Sequence, residues 1–111
     1  MTIEQLREAG VSVEEGLARC MNNEAFYLRM VGMGLADERF GTFEEVLDGG
    51  DTTAAFETAH ALKGVLANLS LTPVLNPVSH ITEILRGREE GDCKALWQEA
   101  LRERQKLLDL G

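Results

Sequence analysis

Proline is nearly missing from this chain, with two residues in 111. Alternating runs of Val and Ile are missing altogether. In a text rich in Ala, Leu, Glu and Arg, these absences argue against strands and leave helices. No apolar run approaches the roughly 20 residues that a membrane span needs. The opening MTIEQLREAG has no basic segment followed by an apolar one, so no secretory leader is expected. Positive charge is scarce: eleven Lys and Arg stand against nineteen Asp and Glu, a formal net charge of −8. A polyanion would be repelled, so neither nucleic acid nor an anionic membrane surface is an expected partner. Cys20 and Cys93 have no CxxC or Cys/His metal spacing and read as two reduced thiols. There is also no Gly-rich phosphate loop, no HExxH, no GxSxG, no carboxylate dyad and no ATP-binding kinase module. The expectation is one domain over residues 1–111, cytoplasmic and monomeric, without cofactor or metal, whose 44% hydrophobic content can fill a core.

What is present is helix punctuation. Thr2 with Gln5, Ser12 with Glu15 and Thr42 with Glu45 each fit a capping box, a hydroxyl followed three residues later by Glu or Gln. Gly10 is placed to end a first short helix, and Val13 to Met21 reads as a second. Asn23 can cap a longer helix that runs to Phe40 and stops at Gly41. Its apolar girth, through Phe26, Met30, Met33 and Leu35, predicts a central position with the methionines as core filler. Gly32 and Gly34 read as points of close helix approach. A short helix from Thr42 would end at Gly49 and Gly50. Asp51 is a good N-cap for the next. Thr72-Pro73 and Asn76-Pro77 both look like an N-cap followed by N1. The helix then starts either at Pro77 or at Pro73 with one early hydrogen bond lost. Gly91 and Asp92 precede the last helix, where Leu96, Trp97, Ala100, Leu101, Gln105 and Leu108 form the apolar stripe. The expected architecture is all-α: an antiparallel up-and-down four-helix bundle with one or two short extra N-terminal helices.

One helix carries more than packing. On a wheel of about 3.6 residues per turn, Ala55, Ala59, Leu62, Leu66 and Leu69 share one side and His60, Lys63, Gly64 and Ala67 the other. His60 therefore points to water from the middle of a rigid element. Residues at i, i+3 and i+4 are neighbours, and helical side chains lean toward the N-terminus. A side chain at 64 would lean over His60, and glycine removes it at a cost of about 1 kcal/mol relative to alanine. The His60 ring leans toward Phe56, which also falls near the outer face. Phe56 reads either as a partly covered core edge or, with Ala67, as part of an apolar patch for a partner helix. A neutral imidazole is a nucleophile, and a reference pKa near 6.5 leaves histidine mostly neutral at pH 7. Attack on phosphorus would add negative charge that Lys63 is placed to offset. His80 lacks the Lys-Gly pair and reads as an ordinary helix residue.

The pentad HALKG, His60 to Gly64, preceded by GGD and a helix start, resembles the histidine phosphotransfer domains of bacterial phosphorelays. The likeness runs from NNEAFYLRM to the last helix. It implies that His60 accepts a phosphoryl group from an aspartyl phosphate on one receiver domain and passes it to another. Lys63 would neutralise charge and Gly64 would give clearance. The implied partners are response-regulator receiver domains, a hybrid histidine kinase, or both. The implied role is that of a phosphocarrier without catalysis of its own, and any Mg²⁺ belongs to the receiver. Members of that family often carry Gly ten residues after the histidine, where Ser70 stands here, and this departure bears on the end of the helix. The other reading is an unphosphorylated bundle adaptor that binds a signalling partner through the same face.

Overall fold

A helix in a small bundle has one face to bury, and the long helices of this chain bury theirs against a shared core. The computed structural model describes residues 1–111 as α1 (Ile3–Glu8), α2 (Val13–Arg19), α3 (Glu24–Leu35), α4 (Arg39–Asp48), α5 (Thr52–Asn68), α6 (Thr72–Leu85) and α7 (Cys93–Leu108), with no strand. The α5 stripe of Ala55, Ala59, Leu62, Leu66 and Leu69 is buried throughout. It meets Val74, Val78 and Ile81 of α6 and Trp97, Ala100 and Leu107 of α7. Phe40 and Phe43 of α4 complete the layer on Trp97, with ring centroids 5.8 and 4.7 Å away.

From α4 onward the connections are short, and α4, α5, α6 and α7 pack in turn against one another with reversed direction. Two contacts fix the fourth corner. Arg104 Nε of α7 donates to the Leu35 carbonyl at 2.7 Å, and Lys94 of α7 pairs with Asp48 at 2.5 Å. The succession α3–α4 therefore runs antiparallel to α7 and fills that corner as two helices in line. The chain adopts the expected all-α bundle, with α1 and α2 as its two short extra helices.

Several local expectations are corrected. Gly41 stops nothing, because it lies inside α4. The break comes earlier, where Asp37 accepts from the Arg39 N–H at 2.9 Å and starts α4. The Thr42 hydroxyl donates to the Glu38 carbonyl, the behaviour of a residue within a helix, so Thr42 and Glu45 form no capping box. Ser12 does not cap α2 either; its hydroxyl bonds to that of Thr72 at 2.8 Å. By contrast, Thr2 and Gln5 form the full capping box, and Asn23, Asp51 and Asp92 each cap through a side-chain oxygen. On α6 the N-cap is Leu71 rather than Thr72, and Pro77 sits inside the helix. On α7, Gln105 is exposed and Leu107 is buried, so the stripe follows 97, 100 and 107.

The larger correction concerns α3. Its buried residues are Tyr27, Val31, Gly34 and Leu35, while Phe26 is 43% and Met33 59% exposed. Residues 26, 30 and 33 form a second stripe one position away from 27, 31 and 34. Met33 is therefore not interior filler, while Met30, half-buried, packs against the edge of the core. Gly34 is a true close approach: a Cβ there would lie 2.5 Å from Leu69 Cδ1, whereas one on Gly32 would meet nothing.

The C-terminal end of α5 is held by the N-terminal helices. Ser70 follows the C-cap with φ +55°, a left-handed conformation that costs a non-glycine residue roughly 1–2 kcal/mol. A Schellman pair closes the turn, with Ser70 N–H donating to Ala67 and Leu71 N–H to Leu66 at 3.1 and 3.0 Å. Arg19 of α2 donates to the Ala67 carbonyl at 3.2 Å and to Ser70 Oγ at 2.7 Å. Ser12 N–H donates to the Ser70 carbonyl at 3.1 Å. The Tyr27 hydroxyl donates to the Leu69 carbonyl at 2.8 Å in a buried site. Serine at this position thus gains hydroxyl contacts that a glycine would lack, and the helix end keeps its cap.

Burial pushes the Tyr27 phenol up to about 12. Since the folded state then holds its proton more tightly than the unfolded one, the hydroxyl's contribution is present below pH ~10 and is lost as pH rises toward 12. Tyr27 is the only tyrosine, so ultraviolet titration reads it directly and should give a midpoint well above that of free tyrosine. Tyr27→Phe leaves the buried Leu69 carbonyl without its partner and should cost about 1–2 kcal/mol in urea unfolding at pH 7. The difference between wild type and variant should shrink above pH 10. An ordinary tyrosine midpoint would contradict the buried hydrogen bond.

Candidate functional site

His60 projects from the outer face of α5 and is exposed. The helix puts it there because Ala59 and Leu62, its neighbours in sequence, fill the core. Its partners differ from those of the other histidine. His80 Nε2 lies 2.9 Å from a Glu89 carboxylate oxygen, whereas His60 has no ion pair. Its one close companion is the Phe56 ring one turn earlier. The two rings are stacked with centroids 5.5 Å apart and planes 16° from parallel. That direction is the one in which helical side chains lean.

Lys63 and Gly64 share this face, as the spacing predicts. Lys63 is half-buried and has no carboxylate partner. Gly64 is exposed, and a Cβ there would meet nothing within 4 Å, His60 included. A methyl group at 64 would therefore not touch the resting imidazole, whose ring stacks on Phe56. Space at Gly64 is open, and it can matter only to something added on or beside the ring.

Phe56 and Ala67 are both half-buried. Ala67 adjoins the clamped end of α5 through its carbonyl. One side of Phe56 carries the Arg86 guanidinium of the α6 end, 5.0 Å from its ring centroid. Sequence reasoning missed Arg86. It also missed the larger apolar surface beside the site. Met30, Met33 and Gly34 of α3, with Asp37, line a groove of about 250 Å³ against Val65, Asn68 and Leu69 of α5. Phe26, and Met21 at 90% exposure, extend that surface along α3 and its preceding turn. The 26–30–33 spacing was the available signal for it. No three His, Cys, Asp or Glu side chains come together as a metal site would require.

An exposed histidine at the middle of α5, with Lys and Gly on its face, invites comparison with known families. The Hpt domain family profile matches residues 33–109, more than half of the chain. The chain belongs to the Hpt domain family. The match takes in α4 to α7 and the pentad, and it begins eleven residues later than the likeness seen in the sequence. Comparison with curated proteins and with solved structures found no match. Hpt domains are phosphocarrier modules of two-component phosphorelays and in general work with receiver domains and kinases. No helix of this Hpt chain is long and apolar enough to cross a membrane.

The open space at Gly64 has a direct consequence for stability. Gly64→Ala should raise the unfolding free energy by about 0.5–1 kcal/mol, the gain from alanine in an exposed helix interior. Urea denaturation measures this, and a loss of stability would reveal a contact that the geometry denies.

Proposed function

We propose that this Hpt domain receives a phosphoryl group on His60 from a receiver-domain aspartyl phosphate and hands it to a second receiver domain. The observation that carries the reading is the exposed, ion-pair-free imidazole with Lys63 and open space at Gly64 on the same helical face. In the transfer a ring nitrogen's lone pair forms the N–P bond as the P–O bond to the aspartyl carboxylate breaks. The electron pair leaves with that carboxylate, and the proton on the other ring nitrogen passes to water. Delivery to the next aspartate reverses these events. Lys63 meets the new charge, with a contribution near the ~0–1 kcal/mol typical of exposed pairs, so it tunes and His60 bonds. Gly64 leaves room for the phosphoryl group and for the receiver that surrounds it. The receiver domain docks on the apolar stripe of α3 and the adjoining groove. The domain is one unit, cytoplasmic and monomeric on this reading, and it has no catalytic activity of its own.

Incubation with a labelled phospho-receiver should transfer an acid-labile, base-stable label to wild type and none to His60→Gln. Lys63→Ala should slow transfer several-fold without abolishing it. Met33→Glu should weaken receiver binding about ten-fold or more by burying a charge at the contact. Label retained in His60→Gln would overturn the site. Binding without any transfer would favour the adaptor reading.

A further inference from the structure

Phe56 has open space on one side. Thr52, Thr53, Leu85 and Arg86 line, together with Phe56 itself, a groove of about 230 Å³ beside the ring. That is enough for the phenyl group to swing off the imidazole. The element that closes this freedom is Arg86, the C-cap residue of α6. Its guanidinium lies over the Phe56 ring at 5.0 Å, and Phe56 in turn stacks on His60 at 5.5 Å. Glu83 holds Arg86 from its own helix, with Nε to carboxylate oxygen at 3.6 Å. The chain of contact runs Glu83, Arg86, Phe56, His60, across the α5–α6 hairpin. The guanidinium is no further from the imidazole than its two legs laid end to end.

We propose that Arg86 is a positioning residue for the phosphoryl-accepting imidazole, acting through Phe56. The inference rests on the assignment of His60 as acceptor. Arg86 keeps Phe56 against His60, and Phe56 limits the ring to one tilt, leaning away from Gly64 with its free edge to solvent. The phosphoryl-bearing partner then meets an imidazole already oriented, so less rotational freedom is lost in the transfer. A guanidinium–aromatic contact and an aromatic stack at half-exposed positions each shift a population by about two- to five-fold. The effect on transfer should be of that size. It should fall on the rate within the complex rather than on docking, since Arg86 lies at the α6 end and the proposed docking stripe lies on α3.

The test uses the full chain in four forms: wild type, Arg86→Ala, Phe56→Leu and the double variant. Two readouts are taken. The first is the NMR shift of the His60 ring protons with the imidazole neutral, which senses the Phe56 ring current whether or not any phosphate is present. The second is the single-turnover transfer rate from a labelled phospho-receiver, measured against receiver concentration. In Arg86→Ala the His60 ring protons should move toward their unstacked positions. The saturating rate should fall about two- to five-fold, with half-saturation unchanged within two-fold. The double variant should be no slower than Phe56→Leu alone, because Arg86 acts through that ring. Unmoved His60 resonances in Arg86→Ala would overturn the proposal, even if every chain transfers phosphate. A change in half-saturation alone would make Arg86 a docking contact, and multiplying rate losses in the double variant would make it act by its own charge. Either result overturns the positioning role. If wild type takes no label at all, the acceptor assignment fails, while the NMR arm still decides whether Arg86 orders the ring.

Discussion

The whole arrangement depends on one restriction: α5 can bury only one of its faces. Ala55, Ala59, Leu62, Leu66 and Leu69 fill the bundle core, and helical periodicity then forces His60, Lys63 and Gly64 outward. The imidazole is exposed because a row of alanines and leucines claims the other side. A seventeen-residue helix packed along one face is a rigid mount. A nucleophile placed at its middle inherits that rigidity, which a loop would not supply.

The rest of the fold keeps this helix in place. At its C-terminal end, carbonyls that a helix leaves unpaired are taken up by Arg19 and by the Tyr27 hydroxyl. Ser70 ties α2 to the α5–α6 turn through both its backbone and its side chain. At the other end Asp51 caps the first turn. Between them α3 approaches closely through Gly34, and this closeness brings its exposed apolar stripe beside the site. The same helix that supplies Tyr27 to the clamp thus presents Phe26 and Met33 to the outside.

Much of this was legible in the sequence, because it depended on local chemistry. The capping residues Thr2, Asn23, Asp51 and Asp92 act through side chains three positions from the amides they cap, so spacing reveals them. The α5 faces follow from periodicity alone. What failed depended on tertiary choice. Thr42 and Glu45 have the spacing of a capping box, but Phe40 and Phe43 must both reach Trp97, and a helix through Gly41 is what brings them there. The α3 stripes at 26–30–33 and 27–31–34 are equivalent as patterns, and only the neighbours decide which is buried. Arg86 has no local signal. It meets Phe56 because the two lie at nearly equal distances from the α5–α6 turn, a relation visible once the hairpin is known.

The claim at the centre is that the outward face of α5 makes His60 the reactive histidine of the two. Treating the unlabelled chain with phosphoramidate, a small phosphoryl donor, and recording ³¹P NMR tests it without any receiver. The account predicts one phosphohistidine resonance in wild type, retained in His80→Gln and lost in His60→Gln. A resonance that survives in His60→Gln and disappears in His80→Gln would contradict it.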